Sequence, residues 1–234
     1  MKKILIFQHV PHESPGYIQD YTDEHEIGLD IVELWKPYEI PAVQGYAALI
    51  ILGGPMGVYE NFPSEAEELG IIKKYANDVP MLGVCLGSQL IAHAFGAPVY
   101  PNEKNGKKTK EIGYYEISLT EAGRKNPLFK GFPSSFEALE WHGDAFDIPE
   151  DGELLASTPL CANQSFNHGS AYGTLFHFEF TEEMIAKQIE IDKAWTHAEF
   201  DLDEQKLMLD AAEKAKTMRE HCFRLLDNFL VPRA

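Results

Sequence analysis

Short apolar runs alternate with amphipathic segments through the first hundred residues. Lys3 to Phe7, Leu29 to Leu34, Ala47 to Leu52 and Met81 to Val84 are too short for helices, and predict strands buried in a parallel sheet. Between them, Ser14-Pro15 predicts the cap and first residue of a helix through Tyr21. Ser64 with Glu67 has the spacing of a capping box, opening a helix that buries Leu69, Ile72 and Tyr75. Ser88 to Phe95 predicts a further helix ended by Gly96. This alternation predicts an α/β fold, a mostly parallel central sheet with helices on both faces.

After Gly96 the pattern changes. Glu111 to Leu119, Ala138 to Trp141, Leu154 to Ser157, Ala162 to Phe166 and Tyr172 to Phe178 predict strands joined by Gly- and Pro-containing turns, a smaller antiparallel region. From Thr181 the chain is acidic and helical. Leu207, Ala211, Ala215, Met218, Cys222, Leu225 and Phe229 form an apolar stripe at three- and four-residue spacing. The expected organisation is one domain over 1–180 and a helical extension over 181–234 packed on it, its stripe consumed by that packing.

Charge narrows the function classes. With 37 acidic against 20 basic residues, the net charge of -17 disfavours a nucleic-acid partner. The one basic run, Lys104 to Lys110, reads as a solvated loop. Apolar runs are too short for a membrane span, and the run after Lys3 ends at Gln8-His9, too soon for a secretion signal. Cys85, Cys161 and Cys222 are an odd, widely spaced set that suits neither disulfides nor zinc, so a cytoplasmic protein is expected. His9, His12 and Glu13 share a loop but lack further ligands at metal spacing. No metal or cofactor is expected.

The candidate chemistry sits in three segments. Gly83-Val84-Cys85-Leu86-Gly87 is a G-x-C-x-G elbow between a buried strand and a helix. Glycines on both sides relieve the clashes of a sharp turn, and the helix start favours thiolate over thiol. Gly53-Gly54-Pro55 closes another strand, where backbone N–H groups can face a developing oxyanion. His177 and Glu179, two apart on a predicted strand, leave the same face, so the carboxylate can orient the imidazole as a base for Cys85.

Together these segments resemble the class I glutamine amidotransferases. Gly83 to Gln89 is similar to their nucleophile motif, Gly53-Gly54-Pro55-Met56-Gly57 to their oxyanion loop, and Tyr172 to Glu179 to their Gly-x-Gln-Phe-His-Pro-Glu segment. Lys110-Glu111-Ile112-Gly113 and Trp141-His142-Gly143-Asp144 resemble the stand-alone branch related to the amidotransferase domain of GMP synthase. The resemblance runs from about Lys3 to about Phe180, and implies a flavodoxin-like fold. It implies that Cys85 attacks a γ-glutamyl carbonyl, His177 transfers the proton and Glu179 orients His177. By the same resemblance, the N–H groups of Gly54 and Leu86 form the oxyanion hole, and Gln89 and the loop Trp141, His142, Gly143 and Asp144 bind the glutamyl group. Leu175 and Phe178 replace the family's glutamine and proline and suggest an altered pocket edge. No synthase domain is expected behind the helical tail. The leading reading is therefore a hydrolase of glutamine or a small γ-glutamyl compound. The alternatives are an ammonia-supplying subunit of a separate synthase, a non-catalytic binding protein of the same fold, or another elbow-cysteine hydrolase such as a peptidase.

Overall fold

The computed structural model describes residues 2–198 and 200–230. Its strands are β1 (Ile4–Gln8), β2 (Leu29–Glu33), β3 (Ala48–Ile51), β4 (Met81–Val84), β5 (Val99–Pro101), β6 (Glu103–Lys104), β7 (Lys107–Lys108), β8 (Glu111–Leu119), β9 (Ser135–His142), β10 (Asp144–Phe146), β11 (Glu153–Ser157), β12 (Ser165–His168) and β13 (Ala171–Thr174). Its helices are α1 (Tyr17–Glu24), α2 (Glu65–Tyr75), α3 (Leu86–Ala94), α4 (Glu121–Lys125), α5 (Glu182–Ile191), α6 (Lys193–Thr196) and α7 (Glu204–Leu230).

The fold is the expected α/β type. Nine strands form one sheet in the order β2-β1-β3-β4-β13-β12-β11-β8-β9. Neighbours from β2 to β13 pair in parallel, and those from β13 to β9 pair antiparallel. The antiparallel strands thus extend the main sheet and are half of it, a larger share than expected. Two small antiparallel pairs, β5 with β10 and β6 with β7, stand apart. The second lies in the basic run, where Asn105 and Gly106 take φ of 54° and 72°. Both central residues of a tight hairpin turn need that left-handed backbone, and Asn-Gly supplies it.

Burial on both faces explains the continuous apolar strands. Ile4, Ile6 and Ile50 face a core shared with Tyr17, Ile18 and Tyr21 of α1 and Met218, Cys222, Leu225 and Phe229 of α7. Leu5, Phe7, Leu49 and Ile51 face the opposite core, with Ile72 of α2 and Leu90 and Ile91 of α3. Each such side chain contributes about 1.5–3 kcal/mol when fully buried. A third cluster joins Ile112, Leu139 and Trp141 of the antiparallel half to Met184, Ile185 and Ile189 of α5 and Leu207 of α7. The stripe of α7 is buried along its length except at Ala215, which is half-buried. No helix of the described residues is long and apolar enough to cross a membrane.

Two helix starts differ from expectation. α1 begins at Tyr17 after Gly16, whose φ is 49° and where an added Cβ would lie 2.0 Å from the Glu179 carbonyl oxygen. Tertiary packing sets that start, and the Ser14 hydroxyl instead meets the Met184 sulfur at 3.5 Å. Ser64 adopts helical backbone angles and makes no side-chain cap, so no capping box forms. In that first turn Glu68 is buried, because His9 reaches it across the sheet end.

Candidate active site

β4 passes into α3 through Cys85, whose φ is 50°. A side chain in this region is strained, and the surroundings over-determine it. The Cys85 N–H donates to the Thr174 carbonyl of β13 at 2.8 Å, and the Ser88 hydroxyl donates to the Cys85 carbonyl at 2.6 Å. A Cβ on Gly83 would lie 2.3 Å from the Gly87 carbonyl oxygen, and one on Gly87 would lie 2.0 Å from that of Ile51. The two glycines therefore let the first turn of α3 press onto β4 and β3. Its unpaired N–H groups and positive dipole end lie beside the sulfur. The thiol sits 3.9 Å from the Trp141 carbonyl oxygen. Burial pushes the Cys161 thiol up to about 11 and holds Cys222 well above the ordinary range, so both stay protonated at neutral pH.

β13 stops at Thr174, four residues short of the expected end. The chain then bends, and the His177 N–H donates to the Leu139 carbonyl at 2.8 Å, a single bridge to β9. His177 Nδ1 meets Glu179 Oε1 at 2.6 Å, with both residues buried. His177 Nε2 is buried and has no hydrogen-bond partner. Burial lowers the proton affinity of this imidazole, but the Glu179 charge and the nearby Cys85 thiol outweigh it, leaving His177 well above the ordinary 6.5. Leu175 and Phe178 do not form the pocket edge that the sequence suggested. Leu175 is fully buried in one core, and Phe178 stacks in the other with Phe132 and Phe136.

The Gly53–Pro55 loop is held from behind. His9 Nδ1 lies 3.0 Å from the Gly53 carbonyl oxygen and Nε2 lies 3.1 Å from Glu68 Oε2. The Gly53 carbonyl can only accept, so Nδ1 carries a proton, and the Glu68 charge favours a second proton on Nε2. The Gly53–Gly54 peptide is planar and trans, so its N–H points opposite to the carbonyl that His9 holds. Gly54 packs against Leu86, since a Cβ there would lie 2.9 Å from Leu86 Cδ2. Glu13 closes on the same loop: a Cβ on Gly53 would meet Glu13 Oε2 at 2.2 Å and His177 Cε1 at 3.4 Å. Burial drives the Glu13 carboxyl up to about 7.

These segments line a cavity of about 440 Å³. Among the residues expected from the sequence, Gly54, Cys85, Gln89, Trp141, His142, Gly143, Asp144 and His177 line it, while Leu86 and Glu179 stand behind. The ring nitrogens of His142 are both engaged, Nδ1 by the Asp144 carbonyl oxygen at 2.9 Å and Nε2 by Glu111 at 3.1 Å, with Glu140 at 3.3 Å. Thr158 and Gln164 donate to the same Glu111 carboxylate. Among the described residues, one trio brings metal-ligating atoms within 4.8 Å of one another: Glu111, His142 and Cys161. There Glu111 and His142 already bond each other.

Sequence reasoning missed Glu13, Tyr59, Glu60, Phe180, Gln188, Asp192 and Trp195, which with Pro55, Met56 and Gly57 of the expected oxyanion loop complete the lining. Glu13 was visible only as a neighbour of His9 and His12. Gln188, Asp192 and Trp195 belong to α5, α6 and the residue between them, which carry no motif. Their placement follows from Asp192, which accepts hydrogen bonds from the Trp141 indole at 2.9 Å and the Gln188 amide at 2.7 Å.

The family model for class-I glutamine amidotransferases matches residues 18–196. The chain is 31% identical over 185 residues to the glutamine amidotransferase-like protein YfeJ of Salmonella typhimurium, covering 76% of this chain and 75% of that protein. A separate subunit of the glutamine-hydrolysing GMP synthase of Thermoplasma acidophilum is 31% identical over 169 residues, covering 70% of this chain and 78% of that polypeptide. Of the longer GMP synthase of Borrelia garinii the chain spans 30%. The solved structure of a glutamine amidotransferase from Thermotoga maritima superposes with a TM-score of 0.89 at 29% identity, covering 98% of both chains.

Proposed function

The chain belongs to the class-I glutamine amidotransferase family, and from that premise we propose that it hydrolyses the γ-amide of glutamine or of a related γ-glutamyl compound through a thioester on Cys85. His177 takes the thiol proton and returns it to the leaving nitrogen, and Glu179 fixes the tautomer and stabilises the imidazolium. The N–H groups of Gly54 and Leu86 receive the oxyanion, a role whose loss typically costs about 3–4 kcal/mol of barrier per donor. Gln89 and the Trp141 to Asp144 loop hold the glutamyl group. Water then releases glutamate.

The observation that carries this reading is the 2.6 Å bond between His177 and Glu179, which leaves Nε2 unpartnered at the wall of the cavity that Cys85 also lines. The test is glutamate release from glutamine and a panel of γ-glutamyl amides. Cys85→Ala and His177→Ala should each remove nearly all turnover, and the double variant should lose little more, because the pair acts as one unit. Multiplicative losses would show that His177 does not serve Cys85.

The likeness to one polypeptide of a GMP synthase favours a second reading, a glutaminase that supplies ammonia to a separate synthase. It predicts a purified chain that is idle on every γ-glutamyl substrate until a synthase is added.

A further inference from the structure

Glu13 is a buried carboxyl that the triad does not use. It lines the cavity together with Cys85 and His177, and only 5% of its surface is exposed. Among the described residues, no hydrogen bond holds the carboxyl and no lysine or arginine faces it. The charges that do face it are His177 and Glu179 after β13, His9 just past β1 and Asp192 after α5. Burying a carboxyl without partners is costly, and in a cleft such a group marks a functional position. With burial raising it to about 7, part of the population is ionised near neutral pH.

Gly53 fixes where this carboxyl stands relative to the triad. The position of a Cβ on Gly53 is 2.2 Å from Glu13 Oε2 and 3.4 Å from His177 Cε1. The carboxyl and the edge of the imidazole therefore flank one spot at the base of the oxyanion loop. Cε1 is the ring carbon between Nδ1, which Glu179 holds at 2.6 Å, and Nε2, which is buried and unpartnered. Hydrolysis of a thioester on Cys85 needs a water at that Nε2, because His177 must take a proton from it. His177 can engage only one hydrogen of that water. An acceptor for the other fixes the water's orientation and aims an oxygen lone pair at the thioester carbon. Glu179 cannot serve, since it is committed to Nδ1 and stands behind the lining. Glu13 has uncommitted oxygens on the cavity side.

We propose that Glu13 is a further catalytic residue, which accepts a hydrogen bond from the water that hydrolyses the γ-glutamyl thioester on Cys85. This rests on the hydrolase reading above. In the step, the water gives one proton to His177 Nε2 while its oxygen bonds to the thioester carbon. Glu13 accepts a hydrogen bond from the remaining O–H and takes no proton. The tetrahedral centre then expels the Cys85 sulfur, which recovers a proton from His177. One thioester and one water give one γ-carboxyl group and one thiol. Formation of the thioester uses no water, so it does not call on Glu13.

The test uses γ-glutamyl 4-nitrophenyl ester, whose leaving group departs without a proton, with Cys85→Ala as the blank. With the purified chain in excess, nitrophenolate release reads thioester formation. With ester in excess, the steady rate divided by the fraction of γ-glutamyl-enzyme, from intact mass after acid quench, reads thioester hydrolysis. Glu13→Gln should keep thioester formation within about threefold of the wild type and slow hydrolysis about ten- to hundredfold, the worth of a hydrogen bond to a charged acceptor. The γ-glutamyl-enzyme should accumulate accordingly. Glu13→Asp keeps the charge but draws it back, and should fall between the two; it carries the comparison alone if Glu13→Gln does not fold. Equal losses in both steps would make Glu13 a structural residue and overturn the proposal, as would unchanged hydrolysis, and the hydrolase reading survives either result. A wild-type chain that neither forms the thioester nor releases glutamate sinks the hydrolase reading, and the proposal falls with it.

Discussion

His9 shows how a residue without contact to the reacting atoms sets the geometry of the proposed site. Its two N–H groups are spent on Gly53 and Glu68, so the Gly54 N–H faces away from His9. Burial lowers its proton affinity, but the Glu68 charge and hydrogen bond, with the Gly53 carbonyl, raise it above the ordinary 6.5. His9→Leu strands Glu68 as a buried, unpaired charge, and should cost about 3–5 kcal/mol. His9→Asn keeps an N–H for Gly53 and should retain more turnover than His9→Leu. A histidine raised on folding contributes stability that is full below its unfolded value and is lost as pH rises through the folded one. The gap in melting temperature between the wild type and His9→Asn should therefore be widest below about pH 6.5 and shrink in alkali. A gap that stays constant or grows with pH would show that His9 is not held as an imidazolium. None of this is legible in the sequence, where His9, His12 and Glu13 suggest only an incomplete metal loop. Partners 44 and 59 residues away give His9 its role.

At the scale of elements, the elbow was readable because its physics is local. A thiol at positive φ between a buried strand and a helix requires small residues on either side, and Gly83 and Gly87 advertise that requirement. Gly87 is the stricter position, since a Cβ there would lie 2.0 Å from the Ile51 carbonyl oxygen of the β3 backbone, where nothing can yield. Gly87→Ala should push the α3 start away from the sheet, costing about 1–3 kcal/mol of stability. It should also slow alkylation of Cys85, because the helix N–H groups retreat from the sulfur. Unchanged alkylation by a haloacetamide, in a variant that still folds, would mean that the α3 dipole does not activate the thiol. The parallel strands were legible for a similar reason, their continuous apolar character. The helix starts at Gly16 and Ser64 and the end of β13 were not, because the carbonyl of Glu179, the side chain of His9 and the bridge to Leu139 decide them. The cavity wall from α5 and α6 was hidden for the same cause. Asp192 and Trp195 look like ordinary surface residues until β9 brings Trp141 beneath them.

For the molecule as a whole, the fully buried ionisable groups around the site lean one way, while burial lowers the half-buried His12 and His221 and so opposes them. Burial raises Glu13 and Glu140 to about 7, and His9, His142 and His177 are all raised above 6.5 because carboxylates outweigh their burial. Each of these five groups holds its proton more tightly folded than unfolded. The folded state therefore binds more protons, and stability falls as pH rises. The glutamates act between their ordinary 4.5 and about 7, and the histidines from 6.5 upward. Taken singly, a carboxyl raised that far costs on the order of 3 kcal/mol once it ionises. Exposed carboxylates pull the other way: Asp30 is lowered by Lys3, Glu190 by Lys187 and Glu204 by His197. Solvent screens those pairs, so the buried groups win. Self-repulsion from a net charge of -17 adds in the same direction. The melting temperature should accordingly be about 5–10 °C higher at pH 6 than at pH 9. Glu140→Gln removes one of the raised carboxyls from behind the site, away from the cavity lining, and should flatten that slope chiefly between pH 5 and pH 7. Calorimetric scans across pH check both statements. A stability maximum above pH 8, or a Glu140→Gln profile parallel to the wild type, would show that these groups do not hold their protons in the folded chain.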